Sequence, residues 1–156
     1  MLKLFEYNWQ VRQDWFAWCQ DVSEEELLKE RIGGIGGILR TLFHIADVEF
    51  SWLSVLQGKP EFTEPFESYA SLQQVKDLSA RFHEEVRPFV MSWTNEMELK
   101  ELSELTPKGE LVSFKYGEIM RHVIAHEIHH IGQLSVWSRE VDKVPVTANL
   151  IRRGLF

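Results

Sequence analysis

The sequence predicts an all-α fold, a four-helix bundle, on three observations. Four long stretches carry apolar residues at the three- and four-residue spacing of a helical face. Glycine and proline mark the joins between these stretches, at Gly33–Gly37, Gly58-Lys59-Pro60, Pro65 and Pro107-Lys108-Gly109. The joins are modest in length, as neighbouring helices of a bundle require. A chain of 156 residues with 44% apolar residues and six tryptophans has the material for a real core. It is expected to form one domain over residues 1–156.

The first helix is expected over Leu2–Asp21. Leu2, Phe5, Trp9 and Phe16 form one apolar row, and Val11, Trp15, Trp18 and Val22 form a second. A helix apolar on two faces is well buried or sits at an interface. Ser23 followed by Glu24, Glu25 and Glu26 is a helix-start signature: the hydroxyl caps, Glu26 stands at capping-box distance, and the acids suit the positive helix end. The cluster Gly33-Gly34-Ile35-Gly36-Gly37 invites a phosphate-loop reading. No strand precedes it, no Lys-Ser or Lys-Thr ends it, and no dinucleotide fingerprint is complete, so it reads as a tightly turned lead-in to the second helix.

The second helix is expected over Gly37–Gln57, stopping before Gly58 and Pro60. The third is expected over Ser68–Thr94, kinked or divided by Pro88. Leu99–Tyr116 reads as irregular, at most a loose hairpin turning at Pro107-Lys108-Gly109. The fourth helix is expected over Lys115–Glu140, ending before Pro145, and no element is assigned to the tail from Val146 to Phe156.

A net charge of −7 repels phosphate backbones, so no nucleic-acid partner is expected. No run reaches the ~18 apolar residues of a membrane span, and no signal-peptide pattern is seen, so no membrane partner is expected. The single Cys19, beside Trp18, reads as a small core residue and fits a reducing, cytoplasmic setting.

Four of the six histidines fall in the run His122–His130. At 100° per residue, His122, His126 and His130 form one slanted row, flanked by Val123, Leu134 and Trp137, so the row faces the interior. Buried imidazoles need partners. An i,i+4 pair can grip one metal ion, and both His126 with His130 and His122 with His126 qualify. A third ligand must come from elsewhere, and His44, in the middle of the apolar second helix, is the candidate. His83, among Arg81, Glu84 and Glu85, reads as a solvated surface residue.

His126-Glu127-Ile128-His129-His130 also matches the short motif of zinc proteases, in which Glu127 would be the general base. The extended motif fails because Gln133 stands where a glycine is needed. A downstream acidic ligand is lacking too, since Asp142 lies almost at the helix end.

Two segments, Thr41–Glu49 (TLFHIADVE) and His122–Leu134 (HVIAHEIHHIGQL), resemble the DinB/YfiT-like family of small helical metalloproteins, which is unrelated to the DNA polymerase of similar name. The resemblance covers nearly the whole chain in order and length. It implies an antiparallel four-helix bundle, frequently a homodimer, with a metal bound by His44, His126 and His130. The family position after the last histidine is often basic. Here it is Ile131, a departure expected to alter a surface or substrate contact. Members of the family include S-transferases and isomerases that use low-molecular-weight thiols.

Three neutral imidazoles leave a divalent ion its full charge and an open position. Zinc or nickel suits such donors best, with iron and copper also admissible. An ion there can acidify water or a thiol, so a metal-dependent hydrolase and a low-molecular-weight-thiol S-transferase are both expected readings, and a non-catalytic metal-binding or interaction bundle is the alternative. Glu127 and His129 could orient a ligand or shuttle protons, although Glu127 equally reads as a surface or dimer-contact acid. His122 could orient a ligand or fill space, and Asp47 lies one turn from His44.

Overall fold

The computed structural model describes residues 1–106 and 108–156. The chain is mostly helical. Helix α1 spans Leu2–Cys19 and the short α2 spans Glu24–Leu28. They are followed by α3 over Ile38–Leu56, α4 over Leu72–Met91 and α5 over Tyr116–Glu140. A two-stranded antiparallel sheet, β1 Glu101–Leu105 with β2 Leu111–Lys115, departs from the all-α expectation.

Both apolar rows of α1 are used. Phe5, Val11, Trp15 and Phe16 are essentially inaccessible to solvent, so this aromatic helix is buried within the chain itself and supplies no outer apolar face. The Ser23 hydroxyl accepts the Glu26 N–H at 3.3 Å, as expected of a cap. The Glu26 carboxylate does not complete the box: it accepts from Lys29 and Arg31. Helix α3 begins at its cap Gly37 and ends at its cap Gln57, the two residues chosen as limits from sequence. Its apolar residues face both α4 and α5, and α1 packs against the same two helices.

The third expected helix starts later than predicted. Phe66–Ser68 is a separate 3-10 turn, and Ser71 is the residue whose hydroxyl caps α4, accepting from the Gln74 N–H at 3.3 Å. Pro88 neither divides nor ends α4. It sits in the last turn, and the carbonyl it deprives belongs to exposed Glu84, where water can serve.

The hairpin was hard to see because it is almost wholly exposed, with only its second residue on each strand partly covered. Without an inward face, the period-2 apolar signal is weak. Cross-strand pairing supports it: Glu101 stands opposite Lys115, and the Ser103 and Ser113 hydroxyls meet at 2.6 Å. Of the expected turn, Pro107 lies outside the described residues. Gly109 adopts φ +81°, and its N–H donates to the Thr106 carbonyl at 2.8 Å. Strand β2 runs straight into α5, where the Lys115 N–H donates to Glu118 Oε2 at 2.8 Å. The tail returns to α1: Tyr7 Oη donates to the Ala148 carbonyl and Arg153 pairs with Asp14. It closes in a 3-10 turn at Leu150–Arg152.

Cys19 is fully buried among Trp15, Phe16 and Leu27, as expected of a core cysteine, and burial pushes its thiol up to about 12. The folded protein is therefore expected to ignore a disulfide-type thiol reagent at pH 8 and to react once denatured. Rapid stoichiometric labelling of the native protein would contradict this burial.

Candidate metal centre

Helices α3 and α5 bring three rings together. His126 Nε2 lies 3.0 Å from His44 Nε2 and 3.1 Å from His130 Nε2. Within the group all prospective ligand atoms lie within 4.8 Å of one another. The i,i+4 spacing of His126 and His130 stacks them on one side of α5. His44 reaches them from α3, which packs along α5. His130 is buried, whereas His44 and His126 are half-buried, so one side of the group meets solvent.

The tautomer of His130 follows from its neighbours. Gln133 Nε2 donates to His129 Nε2 at 2.9 Å, which leaves Gln133 Oε1, an acceptor, facing His130 Nδ1 at 2.8 Å. His130 therefore carries its proton on Nδ1 and presents a lone pair at Nε2. One hydrogen on His126 Nε2 can serve only one of its two ring neighbours, so lone pairs converge on a common point. A cation satisfies such an arrangement: nitrogens at ~2.0–2.1 Å from a tetrahedral ion stand about 3.3 Å apart, close to the spacings observed. Electrostatics agree. Burial, then the charge each ring would place on the others, pushes His126 down to about 3; burial also lowers His44 and His130. The rings are held neutral, the form that ligates metal.

The surrounding residues sort differently from expectation. His122 is exposed and packs edge-on to Trp52, with ring centroids 6.1 Å apart, leaving His126 with His130 as the pair used. His129 is exposed and meets Gln133. Asp47 does not turn to His44; it accepts from Ser51 Oγ at 2.9 Å, and burial raises its pKa. Ile131 is a core residue, so the departure from a basic residue there alters packing and no surface. His83 is corrected from surface to half-buried: α1 packs on α4, and the Trp9 ring meets its imidazole edge-on at 4.6 Å.

Glu127 is not a surface acid. It is fully buried and accepts from Arg12 Nε at 2.8 Å and Nη2 at 2.5 Å. Arg12 Nη1 donates to Glu49 at 2.9 Å. Two buried carboxylates share this one cation, so burial and the nearby Glu49 charge raise the Glu127 pKa against the pull of Arg12.

Sequence reasoning missed Gln133 as a partner of His130, and with it the purpose of the glycine cluster. The loop turns back on itself, Gly36 N–H donating to the Gly33 carbonyl, and lies over the end of α5. Gly34 has φ +53°, and a Cβ there would run into the Gln133 side-chain amide. The motif "glycines far upstream, glutamine three after the last histidine" becomes meaningful only once folding joins them.

Comparison with known proteins gives a consistent picture. The DinB family model matches residues 1–153. The "Uncharacterized protein YizA" of Bacillus subtilis (strain 168) is 48% identical over 155 residues, 99% of this chain and 96% of that protein. "Protein DinB" of the same organism is 23% identical over 147 residues, 88% of this chain and 84% of its own length.

Two outcomes are expected. Gly33→Ala and Gly34→Ala both impose a strained positive φ, costing ~1–3 kcal/mol in denaturant unfolding. Gly34→Ala should cost more, and most of the excess should disappear in a Gln133→Ala background, the rest coming from the Trp137 ring 3.1 Å from the added Cβ; equal costs would break the link between loop and glutamine. The second concerns pH. The lowered imidazole pKa values mean that the unfolded chain binds more protons than the fold below pH ~6.5. Chelator-treated protein should therefore keep its stability above that pH and lose it progressively on acidification, and His126→Ala should flatten the slope measured by thermal melts.

Proposed function

The chain belongs to the DinB family, and on that premise we propose that it binds one divalent transition metal ion, zinc or nickel, through His44, His126 and His130 and acts as a low-molecular-weight-thiol S-transferase. The observation that carries this reading is the convergence of three ring nitrogens on a point with one solvent-facing side. A bound divalent ion supplies Lewis acidity there, lowering the pKa of a thiol that reaches it. The chain's own residues do the rest. Gln133 fixes the His130 tautomer so that Nε2 is free to ligate. A cavity of about 270 Å³ opens one turn along α3 from His44, lined by Asp47, Ser51, Trp52, Phe62 and Glu104, with room for a small molecule.

Hydrolysis is the second reading of the same ligands. It is less well supported because the carboxylate nearest in sequence, Glu127, is committed to Arg12 through both of its oxygens. A purely structural metal site would be closed; the half-exposure of His44 and His126 argues against that alternative. The reading extends to the family's antiparallel four-helix bundle, with α1, α3, α4 and α5 as its members, to a cytoplasmic setting, and to a homodimer. Since α1 is internal, the apolar residues left for an interface include Ile128 and Val136, exposed on α5.

Untagged protein should contain about one zinc or nickel ion per chain by elemental analysis, and His44→Ala should lose it. Metal-loaded protein should conjugate small thiols to electrophiles, with rates falling at least about 100-fold in His126→Ala. An empty wild-type protein after metal supplementation would sink the reading, and ester hydrolysis without thiol transfer would replace it with the hydrolase.

A further inference from the structure

Arg12 sits in the middle of α1 and divides its guanidinium between two other helices. Nε and Nη2 donate to Glu127 on α5, at 2.8 and 2.5 Å, and Nη1 donates to Glu49 on α3 at 2.9 Å. Trp9, one turn earlier on α1, donates its Nε1–H to the other Glu49 oxygen at 2.9 Å. The three charged side chains are each only 2% exposed. Glu127 directly follows His126, and Glu49 lies five residues after His44. The two helices that carry the ring nitrogens are thus tied to one rigid planar group.

We propose that Arg12 is a positioning residue for the three-histidine centre: by holding Glu49 and Glu127 at fixed directions, it sets the separation and rotation of α3 against α5, and hence the approach of His44 to His126. This rests on reading the three rings as a metal centre. The residue type fits the task. A guanidinium offers a flat fork that takes one carboxylate with two parallel bonds and a second at a defined angle, whereas lysine is a point charge that fixes neither direction. A buried ionic group is a poor source of stability compared with apolar packing of the same volume, so its value lies in register. Glu127 has the same role. Although its place after His126 imitates a protease base, its bonds show it working as an anchor.

The test uses cobalt(II) as the metal probe, with visible ligand-field spectra and dissociation constants for wild type, Arg12→Lys, and a neutral triple variant, Arg12→Met with Glu49→Gln and Glu127→Gln. The triple variant leaves no buried charge unpaired and covers the case in which Arg12→Lys does not fold. Val90→Ala, a core truncation on α4, which carries none of the rings, controls for general destabilisation. Folded Arg12→Lys or triple variant should bind cobalt at least tenfold more weakly with a shifted spectrum, while Val90→Ala, similarly lowered in Tm, keeps both properties. Folded variants with the wild-type affinity and spectrum would overturn the proposal. Should wild-type protein take up no cobalt, the metal reading itself falls, and the metal-free crystal structure of whichever variant folds decides the clamp: a widened His44–His126 gap supports it, and an unchanged 3.0 Å gap rejects it.

Discussion

One buried guanidinium shared by two carboxylates organises this protein. On two of the helices it marks the boundary between two apolar clusters. On α3, Glu49 separates Ala46 from Leu53; on α5, Glu127 separates Ile124 from Ile131; on α1, Arg12 follows a stretch where Phe5 and Trp9 serve one cluster and Tyr7 and Val11 the other. The charged layer therefore lies between one cluster built around Phe5, Leu53, Val86 and Met120 and another built around Trp15, Phe16, Leu42 and Trp137. Removing one partner of such a buried group costs ~3–5 kcal/mol, a large share of the ~5–15 kcal/mol that holds a typical domain together. Apolar layers tolerate a helix sliding by part of a turn; this layer does not, because sliding strands a charge.

The histidine group draws on that rigidity and adds a local shell. Gln133 links His129 to His130, and the glycine loop above it leaves room for nothing larger than hydrogen at Gly34. Arg31 holds the loop in turn, binding Glu26 on α2 and Glu140 at the end of α5. Parts of the chain a hundred residues apart thus converge on the proton of a single ring nitrogen.

Much of this was legible in the sequence, and the remainder has identifiable causes. The long helices announce themselves by apolar spacing, and α3 is bounded by the glycine and glutamine that its pattern selects. His44, His126 and His130 stand out because imidazoles on apolar faces demand an explanation. The ionic layer left a fainter trace. Arg12 falls in line with Phe5, Phe16 and Cys19, Glu49 with Ile45 and Leu53, and Glu127 with Val123, Ile131 and Leu134, each a charge at a core position. A search restricted to apolar residues passes over them, and their pairing across three helices is a tertiary fact. The hairpin was legible from its turn residues, but its strands were not, since they bury too little to leave a pattern. His83 was misplaced because its own neighbours, Arg81, Glu84 and Glu85, are polar, while the tryptophan that covers it belongs to another helix.

The seclusion of Cys19 bears on the chemistry proposed here. Any protein that brings activated sulfur and electrophiles to one place exposes its own nucleophiles to the same reagents. With its one sulfhydryl fully buried in the core cluster that holds Trp15, Phe16 and Leu27, and its pKa raised by that burial, this chain offers no competing thiol for adduct formation or for capture as a mixed disulfide.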